Sequence, residues 1–166
     1  MALRALLVFV SCLQFVVPAS STTDPAKCVV VWTFTLPCSE PVTDLVKQLK
    51  SWSSKKCRDG SERCMYEITK ESVKELEVKH TSPQTGKITN INFMFTPPAA
   101  MSFCKVKAIS TAVSQNTTSP NDYCLLHNLI DGSGLTEASG YKEICNQKMC
   151  PSKPSANCNK EGFKNV

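Results

Sequence analysis

Histidine and tryptophan are scarce in this chain, two of each in 166 residues, and aromatic residues together make up only 7%. With His80 and His127 as the whole imidazole supply, histidine-dependent chemistry must pass through one of two positions. No apolar run after Val17 approaches the roughly 20 residues that a spanning helix needs, so no transmembrane helix is expected in the body of the chain. Internal repeats and low-complexity tracts are also lacking, which excludes solenoid and fibrous architectures. Charge of one sign is not in great excess: 19 Lys+Arg face 14 Asp+Glu, interleaved along the chain. Such a balance offers no nucleic-acid stripe, and only a weak, non-specific attraction to anionic glycans or membranes.

What is present begins at the N-terminus. Arg4 precedes an apolar run, Ala5–Val17, and small residues suited to cleavage follow at Val17–Ala19 or Ala19–Ser21. This order predicts a secretory signal peptide over residues 1–21, too short to be a spanning helix. The C-terminal "NKEGFKNV" carries no hydrophobic tail, so a glycosylphosphatidylinositol anchor is not expected. Removal of the signal takes Arg4 with it and leaves 18 basic against 14 acidic residues, a net charge of +4. The expected location is extracellular.

Ten cysteines are the strongest compositional signal. Cys12 leaves with the signal, and nine remain: Cys28, Cys38, Cys57, Cys64, Cys104, Cys124, Cys145, Cys150 and Cys158. In an oxidising compartment these form disulfides. Nine is odd, so one thiol is either free or bridges two chains as a disulfide-linked homodimer. The spacing of Cys57 and Cys64 around "RDGSER" suits a local disulfide. Asn116 in "NTT", within the polar run "SQNTTSPND", is the N-glycosylation acceptor expected of a secreted chain.

The periodicities predict an α+β fold: one amphipathic helix on an antiparallel sheet of about five to six strands, with a disulfide-stapled C-terminal tail. The domain plan is a core over residues 22–130 and a cysteine-rich irregular tail over 131–166. "KCVVVWTFTLPC" is β-rich and ends at Pro37. Val42, Leu45, Val46, Leu49 and Trp52 then recur at helical spacing, giving a helix over Ser39–Ser53 capped by Ser39. "CMYEI", "VKELEVKH" and "ITNINFMF" read as strands, the last two joined by the turn "TSPQTGK". Thr89, Ile91, Phe93 and Phe95 form the buried face of the last of these. Phe103–Val113 is a further strand, and "YCLLHNLI" reads as the final one.

No catalytic constellation emerges. Ser133 sits directly between Gly132 and Gly134, which is not the Gly-x-Ser-x-Gly elbow of hydrolases. His127, Asp131 and Ser133 are sequence neighbours, whereas a triad normally joins distant segments. "GSG" lacks the Gly-Lys-Ser/Thr ending of a phosphate loop; it reads instead as a positive-φ reversal. The spacings of Cys145, Cys150, Cys158 and His127 fit no common zinc site, so no metal or cofactor is expected. The carboxylate pairs Glu62/Glu67, Glu71/Glu75 and Glu137/Glu143 carry nothing to set them apart from solvated acids.

The order strand, helix and antiparallel meander over Lys27–Ile130 resembles the cystatin-type layout. That resemblance implies a shape. The Gln-x-Val-x-Gly loop and the late Pro-Trp wedge of inhibitory cystatins are missing, with Trp32 and Trp52 both lying early, so inhibition does not follow from it. A lipocalin-like barrel would need about eight strands, more than the pattern supplies. The leading expectation is a secreted, non-enzymatic binding protein for an extracellular partner or a small apolar ligand. Its alternatives are a protease inhibitor using "TSPQTGK", a lipid carrier with a pocket lined by Trp32, Trp52, Phe93 and Phe95, and a small hydrolase using His127.

Overall fold

The computed structural model describes residues 27–57, 61–98, 103–113 and 121–158. The signal segment and Asn116 lie outside the described residues. The element order is β1 (Lys27–Phe34), α1 (Ser39–Ser51), β2 (Tyr66–Glu71), β3 (Glu75–Thr81), β4 (Ile88–Thr96), β5 (Cys104–Ala112), α2 (Asn121–Gly132) and β6 (Lys142–Ile144). Short 3₁₀ turns at Leu135–Glu137 and Lys153–Ser155 complete it. The fold is α+β, an antiparallel six-stranded sheet in the order β2-β3-β4-β5-β1-β6, with two helices.

The meander β2–β5 follows the alternation in the sequence. Leu76, Val78 and His80 of β3 and Thr89, Ile91, Phe93 and Phe95 of β4 all turn inward, at 3% exposure or less. The "TSPQTGK" reversal closes through Ser82 N–H to Lys87 O at 2.9 Å. β1 then pairs with β5, Val30 opposite Ala108 and Trp32 opposite Val106, which brings the first strand next to the last of the meander. Cys28, Val30, Trp32 and Phe34 are fully buried on the inner face.

α1 lays Leu45, Val46 and Leu49 on that face, as its helical stripe requires. Its cap is not the expected one: Cys38 occupies the N-cap, no side chain caps the helix, and Ser39 is already helical. Instead Cys38 is fixed by its disulfide to Cys104.

"YCLLHNLI" is not a strand but the body of α2. A short, continuous apolar run cannot be told from a buried helix by periodicity alone. Here Leu125, Leu126, Leu129 and Ile130 fall on one side at helical spacing, all at 5% exposure or less. α2 packs over β5 and β1 and against α1. Asp122 in its first turn complements the positive helix end and meets Lys87 Nζ at 3.3 Å. Gly132 lets the two helices meet, since a Cβ there would come within 2.9 Å of the Trp52 ring. Gly134, at φ 78°, makes the expected left-handed reversal, but after a helix rather than a strand.

The tail is part of the sheet. The boundary drawn at residue 130 falls inside α2, and β6 pairs with β1, Ile144 opposite Val31 and Lys142 opposite Thr33. Four disulfides close the described chain: Cys28–Cys150, Cys38–Cys104, Cys57–Cys64 and Cys124–Cys158. The local Cys57–Cys64 bridge is the one that the spacing predicted. Cys145 is the free thiol.

If α2 is the second core helix, Leu129→Ala, at a fully buried position, should destabilise by about 2–5 kcal/mol in urea unfolding. Lys142→Ala on exposed β6 should shift stability by less than about 0.5 kcal/mol. Equal effects would contradict the packing.

Candidate functional site

The sheet and α1 enclose an open cleft of about 730 Å³ on the outer side of β2. Its floor is apolar, from Leu49, Met65 and Ile68, and Lys50, Lys55 and Glu71 stand in its lining. β2 is an edge strand, so its outer backbone is not paired with another strand among the described residues. A register shift between Ile68 and Lys70 bends it.

The local chain is built to hold this wall. Met65 has φ 57°, a left-handed backbone uncommon for a residue with a side chain. That conformation turns the Cys57–Cys64 loop into β2. It is held by Met65 N–H to Ser54 O at 3.0 Å and by Thr81 N–H to Met65 O at 3.3 Å. Behind it Tyr66 packs on His80 with the rings tilted by 39° and their centroids 4.4 Å apart. His80 Nε2 lies 3.1 Å from Glu62 O, and Ser82 Oγ donates to Glu62 Oε1 at 2.8 Å. Burial pushes His80 down to about 4 and Glu62 upward. His80 is therefore neutral near pH 7, and its 3.6 Å contact with Glu62 Oε2 is not an ion pair there.

A second cluster joins the tail to the core. Glu143 on β6 accepts from Trp32 Nε1 at 3.1 Å, Tyr123 Oη at 2.8 Å and Lys153 Nζ at 2.7 Å. His127 Nδ1 lies 3.4 Å from Oε2, the oxygen that also accepts from Trp32. Burial alone would raise this carboxyl, but hydrogen bonds from His127, Lys153 and Tyr123 outweigh it and hold it down to about 2. His127 stacks on Tyr123 at 5.4 Å. It belongs to a helix, not to a sheet surface.

Among the described residues no hydrogen bond joins His127, Asp131 and Ser133 into a hydrolase site. Ser133 Oγ donates to Ile130 O at 2.9 Å, and Asp131 accepts from Thr136. The carboxylate beside His127 is Glu143, from a distant segment. The thiol of Cys145 is pushed up by burial, so it is no ready thiolate. Cys150 and Cys158 are each in a disulfide, which removes them as metal ligands. Of the carboxylate pairs, Glu62 is buried at 5% while Glu67 is exposed and pairs with Lys79.

Trp32, Phe93 and Phe95 are core residues at 0, 0 and 3% exposure. Trp52 is half-buried under the Arg63 guanidinium, 5.3 Å from its ring. None of the four lines the β2 cleft. The residues that line the cleft and those of the Glu143 cluster were missed in the sequence. An edge strand is a property of pairing, and Glu143 meets Trp32 only because β6 folds back across more than half the chain.

No protein family and no curated protein matches the chain. Among solved structures it is similar to protein CV1439 from Chromobacterium violaceum, at 6% identity and a TM-score of 0.38. The match covers 67% of this chain and 96% of that one, and it identifies neither family nor activity.

Glu143 has a folded-state pKa of about 2, below the ordinary 4.5. Its stabilisation is therefore complete above pH 4.5 and is lost as pH falls toward 2. Between those limits the native protein should lose about 2–3 kcal/mol more than the Glu143→Gln variant, measured by urea unfolding. Parallel curves would show the cluster to be energetically silent. Separately, iodoacetamide without reductant should add one alkyl group to the mature protein, and peptide mapping should place it on Cys145. A label elsewhere, or none, would overturn that assignment.

Proposed function

We propose that this protein is a secreted, non-enzymatic binding module whose recognition element is the cleft between α1 and β2. One observation carries the reading: an open, apolar-floored cleft beside an edge strand, fixed by a disulfide loop and a left-handed Met65. Four disulfides and a described chain without a membrane-crossing helix are compatible with an extracellular protein. An open cleft favours a segment of a partner protein over a carried lipid, which requires burial of most of the ligand's surface. An extended segment would lie along β2, set an apolar side chain on Leu49, Met65 and Ile68, and direct acidic groups to Lys50 and Lys55. The Glu143 cluster lies at the opposite edge of the sheet from the cleft, and its carboxylate, already taken by four donor groups, fits a fastener better than a reaction centre.

The test is selection of a random extended-peptide library on the immobilised protein. Enriched peptides should combine an apolar anchor with acidic residues. The Ile68→Lys variant should bind them at least tenfold more weakly, a loss of about 1.4 kcal/mol or more. Failure to enrich any sequence, or enrichment indifferent to Ile68→Lys, would sink the proposal.

A further inference from the structure

Lysines and acids interleave along the chain, but the fold sorts them. Both helices and the core lie on one face of the sheet, and the other face carries the alternate residues. On β2 and β3 that outer face bears Glu67, Glu75 and Glu77 together with Lys70 and Lys79. These neutralise one another: Lys70 meets Glu75 at 2.6 Å and Glu77 at 3.2 Å, and Lys79 meets Glu67 at 3.8 Å. β4 in the middle presents the uncharged Asn90, Asn92 and Met94. Beyond it, β5, β1 and β6 present Lys105, Lys107, Lys27 and Lys142, all exposed. Among the described residues none of these four is in an ion pair. Glu143, next to Lys142, turns to the opposite side to meet Trp32.

The register sets their spacing. Lys105 and Lys142 both flank Thr33, one strand to either side, which places them about 10 Å apart. Lys107 stands two residues beyond Lys105, about 7 Å along β5. A shallow trough of about 540 Å³ crosses the same face, lined by Lys27, Asn90, Asn92 and Thr111 together with Met94, Ile109 and Glu77, whose carboxylate is paired with Lys70. Rows of point charges beside amides and hydroxyls suit a chain that carries repeated anions and many hydroxyl groups. The described outer face of β1, β4, β5 and β6 bears no aromatic side chain on which bases could stack and no aromatic anchor for a bilayer.

We infer that the outer face of β5, β1 and β6 is a docking surface for a sulfated polysaccharide, with Lys105, Lys107 and Lys142 holding sulfates and the Asn90–Thr111 trough taking sugar hydroxyls. This surface lies across the sheet from the core face, and its occupancy does not depend on the β2 cleft.

The probe is heparin, used with the full mature protein in surface plasmon resonance at about 0.15 M ionic strength. Lys105→Gln/Lys107→Gln/Lys142→Gln should weaken binding by at least about tenfold, and the log–log salt slope should fall by roughly one per lysine removed. The control Lys47→Gln/Lys56→Gln/Lys74→Gln changes net charge equally on other surfaces and should stay within about twofold. Chemically desulfated heparin should bind weakly. Near-ultraviolet circular dichroism of both triple variants checks that they fold. Equal loss in both variants would reduce the effect to net charge and overturn the site, as would no binding by the native protein. Binding to single-stranded DNA or phosphatidylserine vesicles as tight as to heparin would overturn the assignment to a sulfated glycan.

Discussion

The placement of β1 between β5 and β6 is the constraint on which the rest of this structure depends. It joins the beginning of the described chain to segments roughly seventy and more than a hundred residues later. Contacts so distant in sequence have a high loop-closure cost, which must be met by what they bury. β1 meets it with Cys28, Val30, Trp32 and Phe34, none of which retains any exposure. Two disulfides lock the arrangement at its ends. Cys38–Cys104 ties the segment after β1 to the first residue of β5, and Cys28–Cys150 ties β1 to the tail. Glu143 does the same with hydrogen bonds, reaching Trp32 from β6 and gathering Tyr123, His127 and Lys153 around it.

Elements whose burial repeats locally were legible in the sequence. β4 alternates in burial because one face meets the core and the other meets water, although its sequence alternates imperfectly, with Ile88 and Met94 on the outer face beside Asn90 and Asn92. α1 shows its stripe because only one side touches the sheet. α2 misleads because it is covered on most sides, so its apolar residues crowd into a run that mimics a buried strand. β6 was invisible for another reason. Its three residues, Lys142, Glu143 and Ile144, have no strand signature of their own. They are a strand because β1 offers an unpaired edge beside them.

The candidate sites were less legible than the fold, since both arise from pairing rather than from composition. Ile68 and Leu49 mean little until β2 is the sheet's edge and α1 ends beside it. Lys105, Lys107 and Lys142 are scattered charges until β1 sets two of them about 10 Å apart. The odd cysteine was countable, but parity could not choose Cys145 from nine. The eight other cysteines had first to find partners. The two faces thus divide the surface: a clefted edge shaped by the core side, and a flat charged side that the core never touches.

The disulfide layout also determines how the molecule carries mechanical load. Tension applied from outside Cys28 and outside Cys158 does not pass through the sheet. It crosses from Cys28 directly to Cys150, bypassing a sequence separation of 122, and continues along the short stretch to Cys158. A single backbone cut anywhere between Cys28 and Cys150 is spanned by that same bridge, and a cut between Cys150 and Cys158 is spanned by Cys124–Cys158. The fold therefore sits inside a covalent ring, shielded from pulling and from the loss of either fragment after a nick.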